Sequence, residues 1–221
     1  ALGYYVSVPG HYQSGRAYLS KGLVRKAARL ARKNVDALKG LVNPSTPLIG
    51  IEPSGILTFR DEYPDLVEKD IADQARELAS ACLLFEEFIQ REMQAGRIRS
   101  DQFTTSEKKI KLHGHCHQKA LSSTLPTRQM LEIPVHYQVE EIPSGCCGMA
   151  GSFGYESEHY ELSMKIGGLV LFPAVKASAG EYTISAPGTS CRHQIKDGTG
   201  IDSFHPIEIL YDALVDPGIA T

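Results

Sequence analysis

Four cysteines in one half of the chain are the residues best suited to chemistry. Cys116, the adjacent pair Cys146 and Cys147, and Cys191 all follow residue 112, as do seven of the eight histidines, while Cys82 stands apart. Thiolates are soft donors that suit an iron–sulfur cluster, zinc or copper(I). Four of them match what a four-iron cluster or a four-cysteine zinc site needs. The intervals are 29 residues between Cys116 and Cys146 and 43 between Cys147 and Cys191. Gly145, Gly148, Gly151 and Gly154 let the intervening loop wrap closely around a bulky centre and turn its amides toward it. Gly145, Gly148 and Ser190 are therefore candidate contacts to a bound group. His193, two residues after Cys191, is the best additional ligand. His113, His115 and His117 alternate through a strand end and read as hydrogen-bonding loop residues, His136 and His159 as surface residues, and His205, before Pro206, as a neighbour of a helix cap. A nucleophilic Cys147 is the remaining chemistry, but no orienting acid is placed beside it, and no catalytic residue is assigned.

These residues need elements to position them. Apolar residues at helical spacing predict a helix over 19–38, with Lys21, Arg25, Lys26, Arg29, Arg32 and Lys33 on its solvated side. Residues 4–8 and 47–51 read as strands, 52–55 as a loop, and 65–94 as a long helix with Cys82 packed on its apolar face. Further on, 109–113, 136–142 and 182–186 read as strands. Residues 117–131, 155–168 and 206–214 read as helices, and 143–154 and 187–200 as loops. Strands alternating with helices imply an α/β fold of βαβ units with mainly parallel strands. All four site cysteines then fall in loops at strand C-terminal ends, the edge where such sheets build sites.

A weak repeat offset by 133 residues relates Tyr4-x-Val6 to Tyr137-x-Val139 and Ser14-Gly15 to Cys147-Gly148. The chain thus reads as two pseudo-repeated units. Residues 1–105 form a degenerate first copy without thiols, expected to be truncated at its N-terminus, and 106–221 form an intact second copy carrying the cysteines.

The 221 residues are 42% hydrophobic and 22% charged, which fits a globular protein and excludes a mainly disordered one. Net charge is −3, so no basic field recruits nucleic acid, and no apolar run approaches the roughly 20 residues of a membrane span. An odd cysteine count with two adjacent argues against a disulfide framework and for a cytosol-like compartment.

Three segments carry a family resemblance: His115-Cys116-His117-Gln118-Lys119-Ala120, the run from Pro143 to Gly154 containing Cys146-Cys147-Gly148, and Pro187-Gly188-Thr189-Ser190-Cys191-Arg192-His193-Gln194-Ile195. They resemble the cysteine-rich CCG domain found in the iron–sulfur component of glycolate oxidase, in heterodisulfide reductase, and in the C-terminal part of FAD-linked D-lactate and D-2-hydroxyglutarate dehydrogenase-type oxidoreductases. Glu52-Pro53-Ser54-Gly55 and the following residues to Leu66 resemble the first copy in the last group.

The resemblance implies an electron-transfer domain in which Cys116, Cys146, Cys147 and Cys191 hold an iron–sulfur cluster, zinc being a substitute. His193 would be a further ligand or a neighbour of the ligands. It implies an FAD domain elsewhere in the same polypeptide acting on a D-2-hydroxy acid such as lactate, glycolate or 2-hydroxyglutarate, and a quinone or redox protein as acceptor. The location would be cytoplasmic, at most peripheral to the inner face of a membrane, and this chain alone would not be catalytic. The pattern departs from the family at Gln194, where a last cysteine is usual, and at Gly55, where many relatives carry a cysteine. The alternative is a structural zinc site, or a metal-free module that docks another subunit.

Overall fold

The computed structural model describes residues 2–215. The first half opens with α1 (Arg16–Ser20) and α2 (Val24–Leu38), followed by β1 (Leu48–Gly50), α3 (Pro53–Arg60), α4 (Tyr63–Leu66), α5 (Ala72–Ser80), β2 (Cys82–Leu84) and α6 (Phe85–Gln94). The helical stripe of α2 buries Ala27, Ala31, Val35 and Leu38, while its basic residues face outward. That stripe packs on Leu57, Tyr63, Leu78 and Leu84, making one core. β1 and β2 pair in parallel, with Ile49 opposite Leu83. α3 starts at Pro53, a residue suited to a first helical turn, and Glu52 caps it by accepting from the Ser54 N–H.

The second half contains β3 (Lys108–Leu112), α7 (Cys116–Leu121), α8 (Leu125–Leu131), β4 (Tyr137–Glu141), α9 (Tyr160–Leu169), α10 (Leu171–Ala177), β5 (Thr183–Ser185), α11 (Thr189–Thr199) and α12 (Pro206–Asp212). The three strands form a parallel sheet in the order β4-β3-β5. Ile110 lies opposite Val139 on one side and Thr183 on the other. The pleat sends Ile110 and Leu112 into the core. All three strands end on one edge. There the chain leaves β3 into His113–Cys116, β4 into the glycine-rich loop, and β5 into Pro187–Cys191. The architecture is the expected α/β class with two small parallel sheets.

Several elements differ from the sequence reading. Residues 4–8 form no strand; they run extended with Tyr5 95% exposed, because no neighbouring strand pairs with them among the described residues. The helix expected over 19–38 breaks between Ser20 and Val24, with Gly22 in the left-handed region. The long helix expected over 65–94 is interrupted by β2, so Cys82 is a strand residue. The Arg60 guanidinium donates to the Cys82 carbonyl at 2.8 Å and pairs with Glu87, which in turn accepts from the Leu84 N–H that opens α6. A three-residue apolar strand has too short a pattern to betray itself inside a helical run. Likewise the segments 52–55 and 187–200, expected as loops, contribute to helices, Pro53–Arg60 and Thr189–Thr199. The apolar segment from 167 to 174 spans the end of α9 and the start of α10. No helix among the described residues is long and apolar enough to cross a membrane.

Candidate metal centre

Each cysteine reaches the sheet edge by its own route. Cys116 is the first residue of α7, whose cap His115 accepts the His117 N–H on Nδ1 at 3.2 Å. Cys146 and Cys147 lie in the loop after β4. Cys191 lies in the first turn of α11 rather than in a loop. The Arg192 guanidinium donates at 2.9 Å to both the Ala186 and Pro187 carbonyls, fixing the link from β5 into that helix. All four cysteines are free thiols, with Cys147 and Cys191 buried and Cys116 and Cys146 half-buried.

Cys116 and Cys147 both neighbour Cys146, and Cys147 neighbours Cys191. Cys146 is held far below the ordinary thiol range, first by the neighbouring Cys116 and Cys147 side chains, with the Gly148 and Ala150 amides adding to the effect. Cys191 is likewise held low, first by the neighbouring Cys147. Cys116 and Cys147 are pushed up, chiefly by these same neighbours and by burial. The Gly148 N–H donates to Cys146 Sγ at 3.3 Å. The loop that supplies these amides has Gly148, Ala150 and Gly151 all at positive φ. Successive amides of this kind form a concavity for negative charge.

His113 completes the arrangement. It is 0% exposed, and one of its ring nitrogens lies with Cys147 Sγ and Cys191 Sγ in a group whose members are all within 4.8 Å of one another. Its Nδ1 is 2.7 Å from Ser144 Oγ, and its Nε2 has no hydrogen-bond partner. The sequence reading missed this residue as a site residue. The available signal was its position directly after β3, on the same edge as the cysteines.

His193 is placed elsewhere. It is exposed on α11, with Nδ1 2.8 Å from the Tyr155 hydroxyl, and it is absent from the close donor group. Gly145 has open space around it, whereas Gly148 is wedged against Ser163 of α9. Ser190 is half-buried in the first turn of α11. Gln194 is buried and donates to the Ser163 carbonyl at 3.1 Å and to its hydroxyl at 3.0 Å, so it ties α11 to α9. Gly188 brings His115 and Cys191 together, for a side chain there would come within 3.1 Å of His115 Nε2 and 3.2 Å of Cys191 Sγ.

The first half borders the site. Glu52 accepts the Thr189 N–H at 2.9 Å, at the start of α11. Burial pushes its carboxyl up, but the Thr189 amide and the Ser54 hydrogen bond outweigh it, and the net shift is downward. His117 is held down at about 4, first by burial and then by Arg16 and His115, which keeps its ring neutral at pH 7. His205, the cap of α12, accepts from the Ile207 amide on Nδ1 and places Nε2 2.8 Å from the Ile51 carbonyl.

No family model matches the chain, and no solved structure matches it. Curated proteins do. It is 30% identical to a D-2-hydroxyglutarate dehydrogenase of Pantoea ananatis (strain AJ13355), over 96% of this chain and 20% of that protein. To the D-2-hydroxyglutarate dehydrogenase of Escherichia coli (strain K12) it is 28% identical, over 91% of this chain and 19% of that protein. To one of the subunits of the anaerobic glycerol-3-phosphate dehydrogenase of the same organism it is 27% identical, over 90% of this chain and 49% of that protein. Nearly the whole chain is therefore similar to about a fifth of each D-2-hydroxyglutarate dehydrogenase and about half of the glycerol-3-phosphate dehydrogenase polypeptide.

Proposed function

We propose that this chain is an electron-transfer module of a flavin-linked oxidoreductase, with an iron–sulfur cluster held by Cys116, Cys146, Cys147 and Cys191. One observation carries the reading: four free thiols from three segments meet at one sheet edge beneath a cradle of backbone amides. The donor set fits a cluster, being soft, rich in sulfur and largely shielded from water. When bound, such a cluster accepts and passes on single electrons. The chain's own part is to supply the thiolates, to offset their charge with the Gly148 and Ala150 amides, and to exclude water by burying Cys147 and Cys191.

The relatives named as dehydrogenases support an oxidoreductase. By the CCG resemblance, an FAD domain elsewhere in the polypeptide would oxidise a D-2-hydroxy acid and pass electrons here, toward a quinone or a redox protein. Two units, 1–105 and 106–221, fit that resemblance. In each, a glycine at positive φ precedes a helix it packs against: Gly15 on Ala27 and Gly148 on Ser163. In each, a glutamate accepts the amide opening a later helix: Glu87 at Leu84 and Glu208 at His205.

Anaerobic reconstitution with ferrous iron and sulfide, followed by electron paramagnetic resonance, tests the reading. A signal that appears on reduction supports it, and a folded, colourless, signal-free chain sinks it. A second reading, a structural zinc ion, is favoured by the tight spacing of the His113, Cys147 and Cys191 donors. X-ray absorption on zinc-loaded and iron-loaded protein separates the two.

A further inference from the structure

We infer that His113 is a nitrogen ligand of the metal centre, held in the ligating tautomer by Ser144. The inference rests on the proposal that this pocket binds metal. It adds to the four thiolates a donor that the cysteine pattern does not contain.

Three observations carry it. His113 is fully buried, yet its Nε2 has no hydrogen-bond partner. A buried, unpaired ring nitrogen is costly unless it has a use. That ring lies with Cys147 and Cys191 in the close donor group, all three residues being buried. Its other nitrogen is already committed, since Nδ1 is 2.7 Å from Ser144 Oγ.

In the inferred arrangement Nδ1 carries the proton and donates to the Ser144 oxygen, which leaves the unpartnered Nε2 lone pair for a metal. Metal-bound histidines are oriented in this way, by a partner on the opposite nitrogen. Ser144 is itself pinned, because the Lys119 ammonium donates to its carbonyl at 2.8 Å and its own amide donates to the Ile142 carbonyl at 2.7 Å. His193 has no comparable setting, being exposed and engaged by Tyr155. Ser144 is thus a positioning residue and His113 a ligand. An imidazole in place of a thiolate leaves the centre less negative and raises its reduction potential.

The test labels histidine with nitrogen-15 in the 221-residue chain and loads it anaerobically with iron and sulfide. Pulsed electron paramagnetic resonance of the reduced protein should show a strongly coupled nitrogen that persists in His193→Ala and disappears in His113→Ala. In parallel, X-ray absorption of the chain loaded with cobalt(II) alone should show the imidazole scattering pattern, lost in His113→Ala. Ser144→Ala should weaken cobalt affinity about 10- to 100-fold, as loss of an orienting partner does.

Iron-loaded wild type without nitrogen coupling overturns the inference, and that result needs no variant to fold. So does coupling that survives His113→Ala. Imidazole on cobalt with no iron uptake supports His113 and defeats the iron–sulfur reading. Iron uptake with thiolate-only coordination does the reverse, and failure to find either defeats both.

Discussion

Replacing Gly148 with alanine should damage the site through its backbone. Gly148 has a φ of 106°, in the region where a Cβ is disfavoured, and its amide points at Cys146 Sγ. A Cβ there would overlap the Ser163 carbonyl oxygen of α9 and lie 3.0 Å from Gln194 Nε2. That oxygen already accepts from Gln194, so α9 and α11 would both have to move. The backbone conformation costs about 1–2 kcal/mol for a residue with a side chain, and the overlap about 1–3 kcal/mol more. The total, about 2–5 kcal/mol, corresponds to a Tm lowered by about 4–20 °C in a chain of this length. Urea unfolding followed by circular dichroism measures it, with Gly145→Ala as the reference because nothing lies within 4 Å of a Cβ at that position. If the two variants agree within about 0.5 kcal/mol, the spread of a neutral surface change, the account of the loop is wrong.

Glu52→Gln should cost about 1 kcal/mol at pH 7, through the lost charge at the start of α11. The folded carboxyl is held below its ordinary value, so its stabilising effect is present above the unfolded pKa and lost as pH falls through the folded one. The wild-type advantage in urea midpoint should accordingly start to fall near about pH 4 and disappear on further acidification, and an advantage that grows on acidification would contradict the assignment. Cys82→Ala should cost about 1 kcal/mol and leave bound iron unchanged, because Cys82 is 1% exposed, donates to the Leu78 carbonyl and has a thiol pushed up to about 12 by burial. His193→Ala should lose under about 0.5 kcal/mol, as an exposed residue does, and bind as much iron as wild type; a large fall in iron would restore it to the ligand set.

The parts of the fold that were legible are those with long, regular patterns. Ala27, Ala31 and Leu38, read as one helix face, are the buried stripe of α2, and the apolar positions Ile110 and Leu112 bounded by polar residues read correctly as a strand. What stayed hidden is local pairing and capping over few residues. Nothing in Cys82-Leu83-Leu84 distinguishes a strand from a helical turn until Leu48–Gly50 lies beside it. The helix at Thr189–Thr199 looked like a loop because Gly188, Gly198 and Gly200 flank or interrupt it; a carboxylate from the other half, Glu52, meets its first amide. Tyr4 to Val8 shows the opposite error, alternation with no partner to pair it.

For the site, the cysteines announced themselves by type and spacing, and their convergence followed from parallel topology. His113 did not, because a histidine at the end of a strand is ordinary until its two nitrogens are seen to differ. His193 stood out by proximity to Cys191 in sequence. Two residues along a helix, however, turn a side chain about 200° away from its neighbour's direction.

The central claim is tested most directly by counting iron and acid-labile sulfide per folded chain after anaerobic reconstitution, in wild type and in Cys147→Ser. The account predicts about four of each in wild type, and a marked loss of both in Cys147→Ser with the circular dichroism spectrum retained. Less than about one iron per folded wild-type chain, or wild-type loading unchanged by Cys147→Ser, would contradict it.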